Sequence, residues 1–175
     1  LRDCEELVFA SDSRLSGDAR TVDCAPKILT LPRSDAAVAF AGYTGDAYPL
    51  MHQLALAIDS HAPLRRGSMD IAVLKTHALK IFDNMAKQIA SDHKELLAPD
   101  ATLLLGGYSW IRKHFMLWSI QYLDREQRFE AQPARWAVYA MQEGRVVLRN
   151  TPSHTTHIPI GQIAIAGDQS STGWE

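Results

Sequence analysis

Ala36-Ala-Val-Ala-Phe-Ala-Gly42 runs directly into Tyr43-Thr-Gly-Asp46-Ala-Tyr-Pro-Leu50-Met-His-Gln-Leu54, and the hydrophobic period changes at that junction. The first segment is short, small and apolar, as a buried strand is, and Gly42 ends it. In the second, Leu50, Leu54, Ala57 and Ile58 recur at helical spacing, with Asp46 as the expected N-cap. Upstream, the apolar run Leu7-Val-Phe-Ala10 precedes a Ser/Asp/Gly-rich turn from Ser11 to Gly17. Val22 to Leu31 follows as a strand bent at Pro26 and closed by Pro32, suited to an edge. With no helix between them, these strands are expected to form antiparallel hairpins.

Downstream, His61 to Gly67 reads as a turn, and Ser68 or Asp70 caps a second helix. Its expected buried stripe is Ile71, Leu74, Ala78, Ile81, Met85 and Ile89, with Lys75, Lys80 and Lys87 outside. Past Pro99-Asp100 the chain is strand-like at Thr102–Leu105, Phe115–Tyr122, Trp136–Met141, Val146–Leu148 and Ile163–Ala166. Strands, two helices, then strands again is an α+β order, and it excludes a doubly wound β-α-β-α fold.

The 175 residues suffice for a single domain. A net charge of −2, with lysines and arginines scattered, lacks the basic stripe of a nucleic-acid platform. No apolar run approaches the ~20 residues that span a bilayer, and the opening Leu-Arg-Asp-Cys-Glu-Glu is not a signal peptide. Cys4 and Cys24 are too few for a disulfide scaffold and read as free thiols of a cytoplasmic protein.

His154-x-x-His157 invites a zinc reading, but it lacks companion ligands at matched positions, and a surface loop between Pro152 and Pro159 is favoured. Gly106-Gly107 follows a strand with no helix opening after it, so a bend or a close backbone approach is favoured over a phosphate loop. No Ser or Cys sits in a nucleophile elbow. The richer constellation joins Asp12, Lys27 and Gly42 near the ends of successive strands. An aspartate beside Lys27 would hold its ammonium charged, and that charge would lower the pKa of a neighbouring nucleophile or amine. The backbone N–H of Gly42 could face a developing oxyanion. A surface ion pair and a turn glycine is the plainer reading of the same residues.

The segments Ala10-Ser-Asp-Ser-Arg14, Lys27-Ile28, Ala41-Gly42 and Asp46-Ala47, with Leu50 and Leu54 of the first helix, resemble the proteasome β-subunit family and its bacterial HslV-type relative. Leu103-Leu-Leu-Gly-Gly107 and Ile163-Ala-Ile-Ala-Gly167 echo it more weakly. The resemblance implies a four-layer α/β/β/α sandwich of two antiparallel sheets, with Asp46–Ser60 and Ser68–Ser91 on one outer face. It implies an N-terminal nucleophile hydrolase of peptide or related amide bonds, of the threonine, serine or cysteine type, needing no cofactor. In that reading Lys27 tunes the nucleophile, Asp12 orients Lys27, and Gly42 supplies the oxyanion hole. Leu15, Phe40 and Thr44 would line the pocket for the residue before the scissile bond, and Ser16 and Thr44 would hold substrate backbone.

The family's nucleophile is the first residue of the mature chain, whereas Leu1 carries no nucleophilic atom. The resemblance, by its spacing from Asp12, implies a nucleophile about five residues upstream of Leu1. The family's Gly-Ser-Gly before its third helix is replaced by Gly167-Asp-Gln-Ser170. The single domain is accordingly expected to lack the start of its first strand and its C-terminal helices. The alternative is a catalytically silent scaffold or binding subunit. The family assembles into rings and, in the HslV type, partners an ATP-dependent unfoldase. Met51, Leu54 and Leu56, pointing in different directions on the first helix, are expected to leave apolar surface for a neighbouring copy.

Overall fold

A computed structural model describes residues 7–11, 13, 15–17, 20–22, 25–92, 99–134, 138–142, 145–149 and 162–166. Its largest element is an antiparallel five-stranded sheet ordered β4(Ile28–Thr30), β5(Ala36–Gly42), β6(Ala101–Ser109), β7(His114–Leu123) and β8(Arg128–Ala134). Between β5 and β6 the chain forms α1(Thr44–Ser60), the single turn α2(Ala62–Arg65) and α3(Ile71–Asp92). The fold is therefore mixed α+β, with its helices inserted between neighbouring antiparallel strands. This is the order the hydrophobic periods predict.

The main core lies between this sheet and the helices. Val38, Phe40, Leu103, Leu105, Trp118 and Ile120 face Leu50, Met51, Leu54, Ile58, Leu74, Ala78 and Phe82. A smaller cluster of Ala39, Ala41, Leu104 and Leu117 forms the other face of the sheet, with Phe9 packed against it. The two faces follow the period-2 alternation of β5 and β6. On that second face, β1(Leu7–Ser11) approaches so closely that a Cβ at Gly106 would lie 2.5 Å from Leu7 Cδ2 and 2.8 Å from Phe9 Cζ. At Gly107, a Cβ would collide with the Asp35 carbonyl oxygen on the side of β5. The two glycines thus mark close approach within a continuous strand, and no bend occurs there.

Several local expectations are corrected. Tyr43, not Asp46, is the N-cap of α1. Asp46 lies in the first turn, and its Oδ2 accepts the Asp100 N–H at 2.9 Å, so the carboxylate ties α1 to the start of β6. The Ser11–Gly17 turn contains the strand β2(Leu15–Gly17), paired antiparallel with β3(Arg20–Val22). The single Val22–Leu31 strand is replaced by β3 and β4, divided where Pro26 interrupts it. A one-turn helix sits inside the expected His61–Gly67 turn, with His61 as its cap. Of the three apolar residues expected to leave surface on α1, Met51 and Leu54 are buried and only Leu56, at 63 % relative exposure, is open.

The remaining strands correct the expectation of purely antiparallel pairing. In the order β1, β11(Gln162–Ala166), β9(Val138–Gln142), β10(Arg145–Arg149), β1 and β11 are parallel, as are β11 and β9. Only β9 and β10 are antiparallel. Parallel neighbours need a long connection, and β1 and β11 have most of the chain between them. The hairpin rule fails at β1 because its sheet neighbour is remote in sequence.

Asp70 secures the end of the sheet where β6 finishes. Its Oδ1 accepts the Ala72 N–H, and its Oδ2 accepts the buried Ser109 hydroxyl at 2.9 Å and the Ile111 N–H at 3.3 Å. Burial alone would raise its pKa. The hydrogen bonds from Ala72, Ser109 and Ile111, together with the charge of Arg33, outweigh that and hold the carboxyl below its usual range. Arg33, itself buried, makes a bidentate pair with Asp35 at 2.5 and 2.6 Å and donates to the Met69 carbonyl.

A depressed carboxylate stabilises the fold above its unfolded pKa of ~4, and that contribution is lost as pH falls through the lower folded value. Asp70→Asn is therefore expected to cost about 1–2 kcal/mol at pH 7, with the deficit against the parent shrinking as the pH falls below the unfolded value of ~4. Urea unfolding at both pH values measures it. A deficit unchanged in acid would show that the charge of Asp70 contributes nothing.

Candidate active site

Lys27 immediately precedes β4, and its carbonyl accepts the Phe40 N–H at 3.1 Å. This bond continues the ladder in which Ile28 faces Ala39 and Leu29 faces Val38. Lys27 therefore lies opposite Phe40, and Gly42 follows two residues along β5, on the same face by alternation. Thr44 opens α1 two residues later. Lys27 is 7 % exposed and Phe40 is wholly buried, so an ammonium is held at the margin of an apolar core.

Gly42 adopts φ +111°, and a Cβ there would collide with the Asp100 carbonyl oxygen. Both the backbone angle and the close approach require glycine. The Asp100 carbonyl accepts the Tyr43 N–H at 2.6 Å. The Phe40 N–H points to β4, and because N–H groups alternate along an antiparallel strand, the Gly42 N–H two residues on is directed to the same side.

The upstream segment is drawn to the same end. Ala25, two residues before Lys27, donates its N–H to the Ser13 carbonyl at 3.0 Å. This places the Ser13 backbone beside the residues that lead into Lys27. Asp12 itself lies outside the described residues, as do Cys4, Cys24, His154 and His157. Leu15 and Ser16 belong to β2, where Leu15 pairs with Val22 and Ser16 with Thr21.

Tyr48 was missed by sequence reasoning, because an aromatic residue on an amphipathic helix reads simply as core. Its hydroxyl donates to the Pro26 carbonyl at 2.9 Å, and its ring meets Phe40 edge-on at 5.3 Å. Burial pushes its phenol pKa up. Tyr48 thereby clamps the first turns of α1 to the backbone just before Lys27.

The described residues thus bring Lys27, Phe40, Gly42 and Thr44 to one end of β4 and β5. A lysine charge and an outward backbone N–H there could serve a nucleophile and the oxyanion it generates. Among the described residues, no group of three or more His, Cys, Asp or Glu side chains could hold a metal ion. No described helix is long and apolar enough to cross a membrane. The chain matches no known family and no curated protein.

Proposed function

We propose that this chain is the body of an N-terminal nucleophile hydrolase of peptide or related amide bonds, resembling proteasome β-subunits. In this reading the two sheets stack face to face in a four-layer α/β/β/α sandwich. The packing of Leu7 and Phe9 against Gly106, opposite the helices, supports that stacking. The observation that carries the functional reading is the placement of buried Lys27 opposite Phe40, with the Gly42 N–H directed to the same side.

In the reaction, a Thr, Ser or Cys upstream of Leu1 attacks the amide carbonyl, and its proton passes to its own α-amine. The Lys27 charge favours the ionised nucleophile, Asp12 orients that ammonium, and the Gly42 N–H stabilises the tetrahedral oxyanion. The amine leaves with a proton, and water then cleaves the acyl-enzyme to free the acid and restore the nucleophile. Leu15, Ser16 and Thr44 are the residues proposed to receive the substrate, whereas Phe40 is wholly buried in the main core and does not face it.

The test is made on the mature full-length protein. Its N-terminal residue is expected to be Thr, Ser or Cys, and an electrophilic β-lactone is expected to add once, at that residue, by peptide mass mapping. A different N-terminal residue, or a failure to hydrolyse fluorogenic peptide amides, overturns the enzyme and leaves the scaffold. The same resemblance carries a ring-like homo-oligomer, a cytoplasmic location and an ATP-dependent unfoldase as partner. Exposed Leu56 is available to a neighbouring copy. Light scattering at micromolar concentration should give a multiple of the chain mass; a monomeric mass removes the ring.

A further inference from the structure

At the opposite end of the sheet from Lys27 and Gly42, the β6–β7 turn displays Trp110 and Ile111 at 50 % and 62 % relative exposure. Such residues on a loose loop would be unremarked. Here the turn is fastened from below. The Ser109 hydroxyl donates to Asp70 and accepts the Arg112 N–H at 3.0 Å, and the Ile111 N–H also donates to Asp70. Lys113 holds a left-handed φ of 56°, and His114 Nδ1 lies 2.9 Å from the Arg112 carbonyl. An exposed tryptophan is thus presented on a fixed hairpin, so little conformational freedom remains to be lost on binding.

The charge around this tip is one-sided. Arg112 and Lys113 are exposed on it, and Arg66 is exposed in the segment leading to Asp70. None of the three makes an ion pair among the described residues. The nearby carboxylates are occupied: Asp35 pairs with Arg33, and Asp70 is buried under its hydrogen bonds. Trp and Arg are among the residue types that dominate binding energy at protein interfaces.

We infer that this tip is a docking site for an acidic segment of a partner protein, with carboxylates meeting Arg66, Arg112 and Lys113 and an apolar side chain packing on Trp110 and Ile111. A bilayer is a poorer fit. Two apolar residues on one hairpin provide little insertion area. β6 spans nine residues between the two ends of the sheet, roughly 25–30 Å, so an occupied tip leaves the Lys27 end open. The inference does not depend on the proposed hydrolase activity.

The test is selection of a random twelve-residue peptide display library on the full-length protein. Enriched sequences are expected to be rich in Asp and Glu around a bulky apolar residue. The best of them, as a labelled synthetic peptide, should bind by fluorescence anisotropy and weaken with added salt. Its Kd should rise about tenfold in Trp110→Ala and in Arg112→Ala/Lys113→Ala. These substitutions are exposed, and unchanged unfolding midpoints would confirm an intact fold. Enrichment without acidic bias, or a Kd insensitive to both variants, overturns the inference. So does co-sedimentation with vesicles of phosphatidylserine and phosphatidylcholine in the absence of peptide binding.

Discussion

Phe82→Ala is expected to lower the unfolding free energy by about 3–5 kcal/mol, the largest stability loss anticipated for any single side chain here. Phe82 is fully buried, and its ring meets Phe129 of β8 edge-on at 5.5 Å. Phe129 in turn meets Tyr122 of β7 at 5.2 Å, and its N–H donates to Asp83 Oδ1 at 2.7 Å. The seam between α3 and the outer strands therefore combines an aromatic chain with a hydrogen bond that the residue next to Phe82 accepts. Removing the ring leaves a cavity that Phe129 cannot fill without disturbing that bond. For a domain of this size the loss corresponds to a fall in Tm of roughly 10 °C. Phe82→Leu, which restores most of the volume, should recover more than half of it. Thermal and urea unfolding measure both variants. A cost below ~1 kcal/mol for Phe82→Ala would mean that α3 and β8 are held together by something other than this cluster.

Phe82 also shows where the sequence was ambiguous. The expected stripe on α3 ran through Ile81 and Met85, whereas Phe82 and Ala86 are its buried centre and Ile81 and Met85 flank it. Apolar residues occupy positions 81 and 82 together, so a pattern with steps of three and four can follow either, and only the sheet beneath the helix chooses. β8 escaped notice for a different reason. Arg128-Phe-Glu-Ala-Gln-Pro-Ala134 is polar and contains a proline, which normally argues against a strand. The ladder resolves this. The Tyr108 N–H bonds to the Asp35 carbonyl, so even-numbered residues of β6 face β5 and even-numbered residues of β7 face β6. Pro133, opposite Trp118, consequently turns its missing N–H toward the open edge, where no ladder bond is lost.

The periods of β5, α1, α3 and β6 were legible because each element buries one stripe or face against the same core. Pairings that join distant segments, such as β1 with β11, leave no local signature. The candidate site divides in the same way. Gly42 could be read as special because a strand meets a helix there, but its collision with Asp100 depends on a contact 58 residues away in sequence. Lys27 could be placed on a strand, but its burial, 7 % exposed, is not disclosed by the local pattern. Tyr48 acquires its role only from the Pro26 carbonyl, which the helix period does not disclose.

Lys27→Met is expected to reduce amide hydrolysis by the mature full-length protein on the order of a thousandfold while leaving the fold in place. The strand pairing at this position runs through the Lys27 carbonyl and the Phe40 N–H, which any side chain preserves. Methionine keeps an unbranched apolar stem beside Phe40 and removes the charge. The unfolding midpoint should therefore move little, or rise if relief from burying the ammonium exceeds the loss of its partners. The kinetic signature separates function from packing. If the charge acts on the nucleophile and the transition state, the loss falls on kcat with KM nearly unchanged. If Lys27 only shapes the pocket, KM rises and kcat persists. Lys27→Arg is the sharper companion, since it keeps the charge and moves it to a broader, planar group that a site fitted to an ammonium cannot place equivalently. Activity within tenfold of the parent in Lys27→Met, with the protein folded, would sink the proposed role. The buried lysine would then belong to the architecture of the β4–β5 end and to no chemistry performed there.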